Sequence, residues 1–374
     1  MDKMDILEYT REQLEQLDTE TLLKIKSECE DNAKLLHSQQ MSKKILMNSL
    51  YGALANKGFS LFNEKIAQSI TGNGRFFIQF SSRKIEDKLQ SILPSKNKFV
   101  VYNDTDSSYY QIGNIMSEII KKNPNKTINE YVDLAIKFEE KIIDPVIQES
   151  IKEFGEMFNA HDVSAIGAKR EIVADKALFV AKKKYIARVR DAEGVRYPEN
   201  EPHMKVMGLD LARSAIPEWC KSKMYEALDI ILDKSENELK IWIDSCKSEF
   251  LKQDLKDITM YGSVSRVDYS LNDKGIPFMC KAGIYYNRYV TSNNLEDKYI
   301  LIQNDTSVKL MRLNTPNPFG TDLIAYTQDT FEKEFKDYVN YDEQFKKSFL
   351  DPLNNMVKVL GYDLYNKTET VEEW

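Results

Sequence analysis

The sequence predicts an α+β fold assembled from two or three structural units. Three observations carry this expectation. The length, 374 residues, exceeds what a single hydrophobic core usually organises. Long stretches with apolar residues at helical spacing recur along the chain, and between them lie short apolar-aromatic runs of strand character.

From residue 11 to about 56 there is no proline, and Leu14, Leu17, Leu22, Ile25, Leu35, Leu36, Ile45 and Leu46 recur at helical intervals. One long helix or a helical pair follows. Gly52 and Gly58 loosen its end, and a second proline-free stretch, residues 64 to 93, predicts a helix stopped by Pro94. The runs at 99–102 and 107–110 flank Asn103-Asp104-Thr105-Asp106, which reads as a β-hairpin with a polar four-residue turn. Helical character returns over 128–160. Residues 172–190 alternate as a strand up to an Asp191-Ala192-Glu193-Gly194 turn, where a second hairpin is expected to begin. Residues 218–255 are again helical, and the remainder mixes short strands and helices with Pro and Gly breaks.

Hydrophobic residues make up 42% of the chain, with no apolar run near the eighteen or so residues of a membrane span. The opening Met1-Asp2-Lys3-Met4-Asp5 lacks the layout of a signal peptide, so a cytosolic setting is expected. Cys29, Cys220, Cys246 and Cys280 are far apart and read as reduced packing residues; His37, His161 and His203 are equally scattered, which argues against a histidine-based metal site. The net charge of −7 opposes a simple nucleic-acid coating protein, because phosphate binding is driven by Lys and Arg. Residues 168–223, however, hold thirteen Lys and Arg against eight Asp and Glu. That local surplus fits an electrostatic footprint and equally fits a solvated mixed-charge surface.

Two clusters point to chemistry. Lys44, Asn48 and Tyr51 stand at i, i+4 and i+7 and share one helical face. As a core stripe they would need buried partners, so the face meets either water or a ligand with phosphates and a base. In Asp104-Thr105-Asp106-Ser107 two carboxylates lie two residues apart, and alternate residues of an extended chain point the same way. A hard divalent cation such as Mg²⁺ would let both stay ionised, while a plain Asp-rich turn explains the same residues.

The combination of Lys-xxx-Asn-Ser-x-Tyr-Gly, then Tyr-x-Asp-Thr-Asp-Ser some fifty residues on, then Ala181-Lys182-Lys183-Lys184-Tyr185, resembles the family B DNA polymerases. Lys184 stands where that family usually has Arg. The resemblance looks closest to the replicative polymerases of T-even-type bacteriophages. Glu201-Pro202-His203-Met204-Lys205-Val206-Met207-Gly208, Asn317-Pro318-Phe319-Gly320 and the segment from Lys347 to Leu353 extend it along nearly the whole chain. It implies a partial fingers helix at 1–56, a palm built on a small antiparallel sheet at 57–213, and a mainly helical thumb with a carboxy-terminal tail at 214–374. It implies, further, that Lys44 meets the incoming triphosphate and that Asn48 and Tyr51 border the nascent base pair. Asp106 would hold two Mg²⁺ ions with Asp104 as a supporting acid, and Glu171 would be a further palm carboxylate near the metals. Lys182, Lys183, Lys184 and Tyr185 would grip the primer terminus. DNA primer-template and deoxynucleoside triphosphates are the implied partners, with a sliding clamp for the tail Val371-Glu372-Glu373-Trp374 and no membrane. The implied location is the cytoplasm of an infected bacterial host.

The family's first catalytic motif, an aspartate shortly before Ser-Leu-Tyr-Pro-Ser, does not occur in this sequence, and neither does an exonuclease motif in the expected context. A divided polymerase follows as the expectation, with a separate amino-terminal polypeptide supplying the other metal-binding aspartate. The rival reading is a catalytically silent DNA-gripping or scaffold module, and a truncated product without function is a third. The presence of Lys44, Asn48, Tyr51 and Asp106 argues against the silent module, which would have no need of a triphosphate pocket.

Overall fold

The computed structural model describes residues 10–365 apart from 165, 210, 212, 213, 272 and 273. The chain divides into two units: residues up to 119 with 140–167, and residues 120–139 with 168 onwards.

In the first unit, α1 (Arg11–Glu15) and α2 (Thr19–Ala55) realise the helical pair expected over 11–56. Thr10 and Gln13 cap α1 reciprocally, and the Asp18 carboxylate accepts from the Thr21 N–H at the start of α2. None of the 37 residues of α2 is buried, although Leu36, Leu46, Met47 and Leu50 are 64, 73, 75 and 58% exposed. Asn63 caps α3 (Glu64–Ile92), which buries Ala67, Ile85 and Leu89. Next come β1 (Val100–Asp104) and β2 (Ser107–Tyr110), paired antiparallel. Helix α4 (Gly113–Lys122) leads out of this unit, α5 (Ile128–Phe138) belongs to the second, and α6 (Asp144–Met157) to the first again. The helical character expected over 128–160 is therefore α5 and α6 joined by a π-helical turn at Glu139–Ile143. Within the first unit α6 packs on α3 through the rings of Phe76, Phe77, Phe154 and Phe158.

The second unit opens with a four-stranded antiparallel sheet: β3 (Ile172–Ala181), β4 (Lys184–Ala192), β5 (Val195–Arg196) and β6 (His203–Met207). β4 pairs with all three others. Residues 172–190 are thus not one strand but a hairpin, turned at Lys182-Lys183 between the paired Ala181 and Lys184. A run of three lysines is costly to bury, so the chain reverses there and leaves Lys182 and Lys183 in solvent. The Asp191–Gly194 turn then opens the short β5, as expected.

Three helices follow, α7 (Glu218–Asp233), α8 (Glu236–Phe250) and α9 (Leu255–Ile258); the helical stretch read over 218–255 is broken by a capping box at Ser235. A second sheet, in the order β7 (Met260–Val264), β8 (Thr306–Arg312), β9 (Leu323–Tyr326), packs with α10 (Phe278–Ser292). Short helices α11 (Glu332–Phe335), α12 (Tyr341–Phe345) and α13 (Asp351–Val357) complete the described chain. The carboxy-terminal region, expected to be mainly helical, therefore also carries a three-stranded sheet. Its core includes Met224, Leu228, Phe250, Tyr286, Ile324, Tyr326, Phe335 and Phe349, each essentially solvent-free. Cys220, Cys246 and Cys280 are buried as expected, but Cys29 is exposed on α2 and packs against nothing in its own helix's core, because that helix has none.

An ion network ties the first sheet of this unit to α7. Arg188 donates to Asp175 (3.0 Å) and to Asp233 (2.5 Å), Lys176 donates to Asp233 (2.7 Å), and buried Arg190 donates to Asp175 (2.8 Å). Hydrogen bonds from Arg188 and then Lys176 hold Asp233 down at about 2. Its folded value lies below the unfolded one, so its stabilisation is present above about pH 4 and lost as the pH falls toward 2. Asp233→Asn should lower stability at pH 7 by roughly 1 kcal/mol, discounted for partial solvent exposure. Denaturant titrations at pH 7, 4 and 2 check this: wild type and variant should converge by pH 2, and a constant gap at all three would refute the assignment.

Candidate active site

The hairpin of β1 and β2 is held from its own unit at three points. The Glu86 carboxylate on α3 accepts from the Phe99 N–H (2.9 Å) and the Val100 N–H (2.8 Å), fixing the start of β1. Burial raises the Glu86 pKa, but the Val100 amide, Gln90, the Phe99 amide and the nearby Lys98 charge outweigh it, and the group is held below the ordinary carboxylate range. Further along, buried Ser82 donates to Asn103 Oδ1 (3.2 Å) and meets the Ser108 hydroxyl (3.1 Å), one residue on each strand. The Tyr102 and Tyr109 rings meet across the pair, tilted, with centroids 5.6 Å apart.

Asp104 pairs with Ser107, so the first strand runs two residues further toward the tip than the sequence reading had it, the second begins at Ser107 as read, and the turn is only Thr105-Asp106. Thr105 adopts φ +54. A β-branched residue there is a genuine outlier, of order 1–3 kcal/mol above its relaxed state, and it persists because the clamped strands leave the loop no other path. The left-handed residue also breaks the alternation that would have aimed Asp104 and Asp106 the same way. Asp104 is half-buried and accepts from the Thr105 hydroxyl (3.1 Å), whereas Asp106 is exposed, and among the described residues no hydrogen bond or ion pair engages it. Two carboxylates on one tight turn suit Mg²⁺, which takes one or two carboxylates and completes its shell with water and substrate phosphate. Among the described residues no group of three or more His, Cys, Asp or Glu could hold a metal.

Lys44, Asn48 and Tyr51 all lie on α2 and all are exposed, Tyr51 at 39%. The second unit holds the remaining candidates. Lys182 and Lys183 form the β3–β4 turn with Lys183 at φ +63, and Lys184 is half-buried. Tyr185 is only 4% exposed, its ring against Phe179 at 5.4 Å, so it braces the hairpin from within the sheet. The Glu171 carboxylate receives the Lys205 ammonium at 2.6 Å, an ion pair that links the start of β3 to β6. Two supporting features escaped sequence reasoning. Ser82 and Glu86 look like ordinary helix residues, and Gly208 carries no local turn signature.

A family profile described as DNA polymerase family B matches residues 18–274, well over half of the chain. The chain belongs to DNA polymerase family B. The DNA-directed DNA polymerase of Enterobacteria phage T4 is 28% identical over 359 residues, covering 91% of this chain and 39% of that protein. The corresponding polymerase of Escherichia phage RB69 is 26% identical over 385 residues, covering 98% and 42%. The DNA polymerase alpha catalytic subunit of Leishmania donovani is 28% identical over 201 residues, 53% of this chain and 12% of that protein. The chain spans about two-fifths of the length of the two phage relatives. Every candidate residue from Lys44 to Tyr185 lies inside the stretch matched to family B.

Proposed function

We propose that this chain is the carboxy-terminal part of a DNA-directed DNA polymerase that adds nucleotides to a primer under template direction, together with a separate amino-terminal polypeptide. One observation carries the reading: Asp106 stands exposed at the tip of a hairpin whose strands are clamped by Glu86 and Ser82 and whose tip holds a strained Thr105. A strained residue beside an unengaged carboxylate is compatible with a pre-organised reaction centre. The family B match supports the same reaction class.

In this reading residues 1–56 act as partial fingers, 57–213 as palm and 214–374 as thumb. Asp106 holds cation at the reacting phosphate with Asp104 in support, and Glu171 is the further palm carboxylate. Two Mg²⁺ ions supply, when bound, activation of the primer 3′ hydroxyl and support for the leaving pyrophosphate. Lys44 sets a point charge against the incoming triphosphate, and Asn48 and Tyr51 offer an amide and a flat ring to the nascent base pair. Lys182, Lys183 and Lys184, braced by Tyr185, meet the duplex backbone, a contact that positions without reading sequence. Among the described residues no helix is long and apolar enough to cross a membrane. The tail at 371–374, proposed to reach a sliding clamp, lies outside the described residues.

The test is single-nucleotide addition on a primer-template by the chain combined with an amino-terminal polypeptide that carries the missing aspartate motif. Addition of only the complementary nucleotide supports the proposal; DNA binding without addition favours the silent gripping module. In the same assay Lys44→Ala should raise the apparent KM for all four nucleotides at least about tenfold, near 1.4 kcal/mol. An unchanged KM removes Lys44 from the pocket.

A further inference from the structure

We infer that Gly208 is a positioning residue that sets where the Lys183 turn presents its cations to nucleic acid. The inference rests on the reading of that turn as a DNA contact. β6 ends at Met207, paired with Tyr185, and the next residue, Gly208, takes φ +64. A β-carbon on residue 208 would lie 2.1 Å from the Lys183 carbonyl oxygen, 3.1 Å from its carbonyl carbon and 3.3 Å from Cγ of Lys184. The two nearest atoms are backbone. Glycine therefore lets the chain leaving β6 lie directly against the peptide of a two-residue turn that is itself left-handed at Lys183.

Residue 208 has no freedom to retreat. Before it, β6 is pinned to β4 over five paired positions from Met207 to His203. After it, Leu209 is buried and packs in the core of its own unit. A side chain at 208 would have to be relieved by the turn, which needs a displacement of more than roughly 1 Å to restore ordinary contact. Lys182 and Lys183 are exposed and travel with the turn. A charge-assisted hydrogen bond to phosphate spans only about 2.7–2.9 Å, so such a displacement breaks it.

The experiment is equilibrium binding of a labelled primer-template duplex to the full chain across a salt series, for wild type, Lys183→Ala, Gly208→Ala, Gly208→Asn and the Gly208→Ala/Lys183→Ala pair. Each variant is measured well below its own melting midpoint. Lys183→Ala should weaken binding and lower the log–log salt slope by about one. Gly208→Ala should weaken binding about tenfold with a comparable loss of slope, and the double variant should bind no worse than Gly208→Ala within about twofold. Gly208→Asn should match Gly208→Ala, because asparagine tolerates the left-handed backbone but brings the same β-carbon. Additive losses, an unchanged slope in Gly208→Ala, or a harmless Gly208→Asn would each overturn the inference. A Gly208→Ala chain that never melts cooperatively overturns it too, since the glycine would then hold the sheet rather than the turn. If Lys183→Ala leaves affinity and slope unchanged, the DNA-contact reading itself fails, and the same holds if the wild-type chain does not bind duplex.

Discussion

Asp106→Asn is expected to abolish nucleotide addition by the reconstituted enzyme, by at least about a thousandfold or ~4 kcal/mol, while DNA affinity stays within about twofold. The substitution is nearly isosteric, and the wild-type side chain is exposed and makes no hydrogen bond or ion pair among the described residues. Folding therefore has little to lose. What disappears is one unit of negative charge at the hairpin tip, and a hard cation held by one or two carboxylates depends on that charge. Asp104→Asn should cost less, because Asp104 is half-buried and already shares its carboxylate with the Thr105 hydroxyl. Single-turnover primer extension and duplex binding, measured on the same preparations, separate the two effects. Retention of more than about a tenth of the wild-type rate, a loss under about 1.4 kcal/mol, would sink the metal assignment.

The second large effect expected from the proposed function is dependence on a second polypeptide. This chain alone should give no primer extension with Mg²⁺, and extension should appear on adding the amino-terminal polypeptide. Two metal ions roughly 3.5–4 Å apart need carboxylates from more than one element. The described residues offer the Asp104-Thr105-Asp106 turn and no cluster of three ligands. The surface is compatible with a partner: Leu22, Leu23, Leu35, Leu36, Ile45, Leu46, Met47 and Leu50 are exposed around the circumference of one helix. The complex should accordingly be tight and bury well over about 2,000 Å², as obligate interfaces do. Sedimentation of the mixed chains and extension assays of each alone check both halves. Robust extension by the lone chain would overturn the divided-enzyme reading.

Much of the architecture is legible in the sequence where one physical signal dominates. Freedom from proline and helical spacing mark both ends of α3 and the end of α2 to within about a residue, but not the break between α1 and α2 that puts the start of α2 at Thr19. The hairpin is equally legible, since apolar-aromatic runs flank a polar centre. Its turn is not, because Thr105 takes a conformation that its side chain disfavours, one that the two-residue turn between the paired Asp104 and Ser107 calls for. The reversal at Lys182-Lys183 was hidden for a similar reason. Strand alternation continues on both sides of it, and the glycine that makes room for it sits twenty-five residues later, at Gly208. The sheet β7–β8–β9 escaped because its strands lie far apart in sequence, with α10 between the first two. The residues proposed to carry side-chain chemistry were visible in motifs. Those that position them were not, since a serine, a glutamate or a glycine announces such a role only through what it touches.

Helix α2 has a consequence in time as well as in space. Its 37 residues, some 55 Å of helix, bury nothing, so it draws its stability from intrinsic propensity and from the Asp18 cap rather than from tertiary packing. Its backbone amides are then protected from hydrogen exchange only by the local helix–coil equilibrium, far less than those of α7, which buries Cys220, Met224, Ala227, Leu228 and Ile231. Lys44, Asn48 and Tyr51 ride on this lightly held segment, and their mutual spacing exists only while the helix does. An unassembled chain would thus hold these three side chains in register for only part of the time, and if they face nucleotide as proposed, its capture would be gated by whatever stiffens α2.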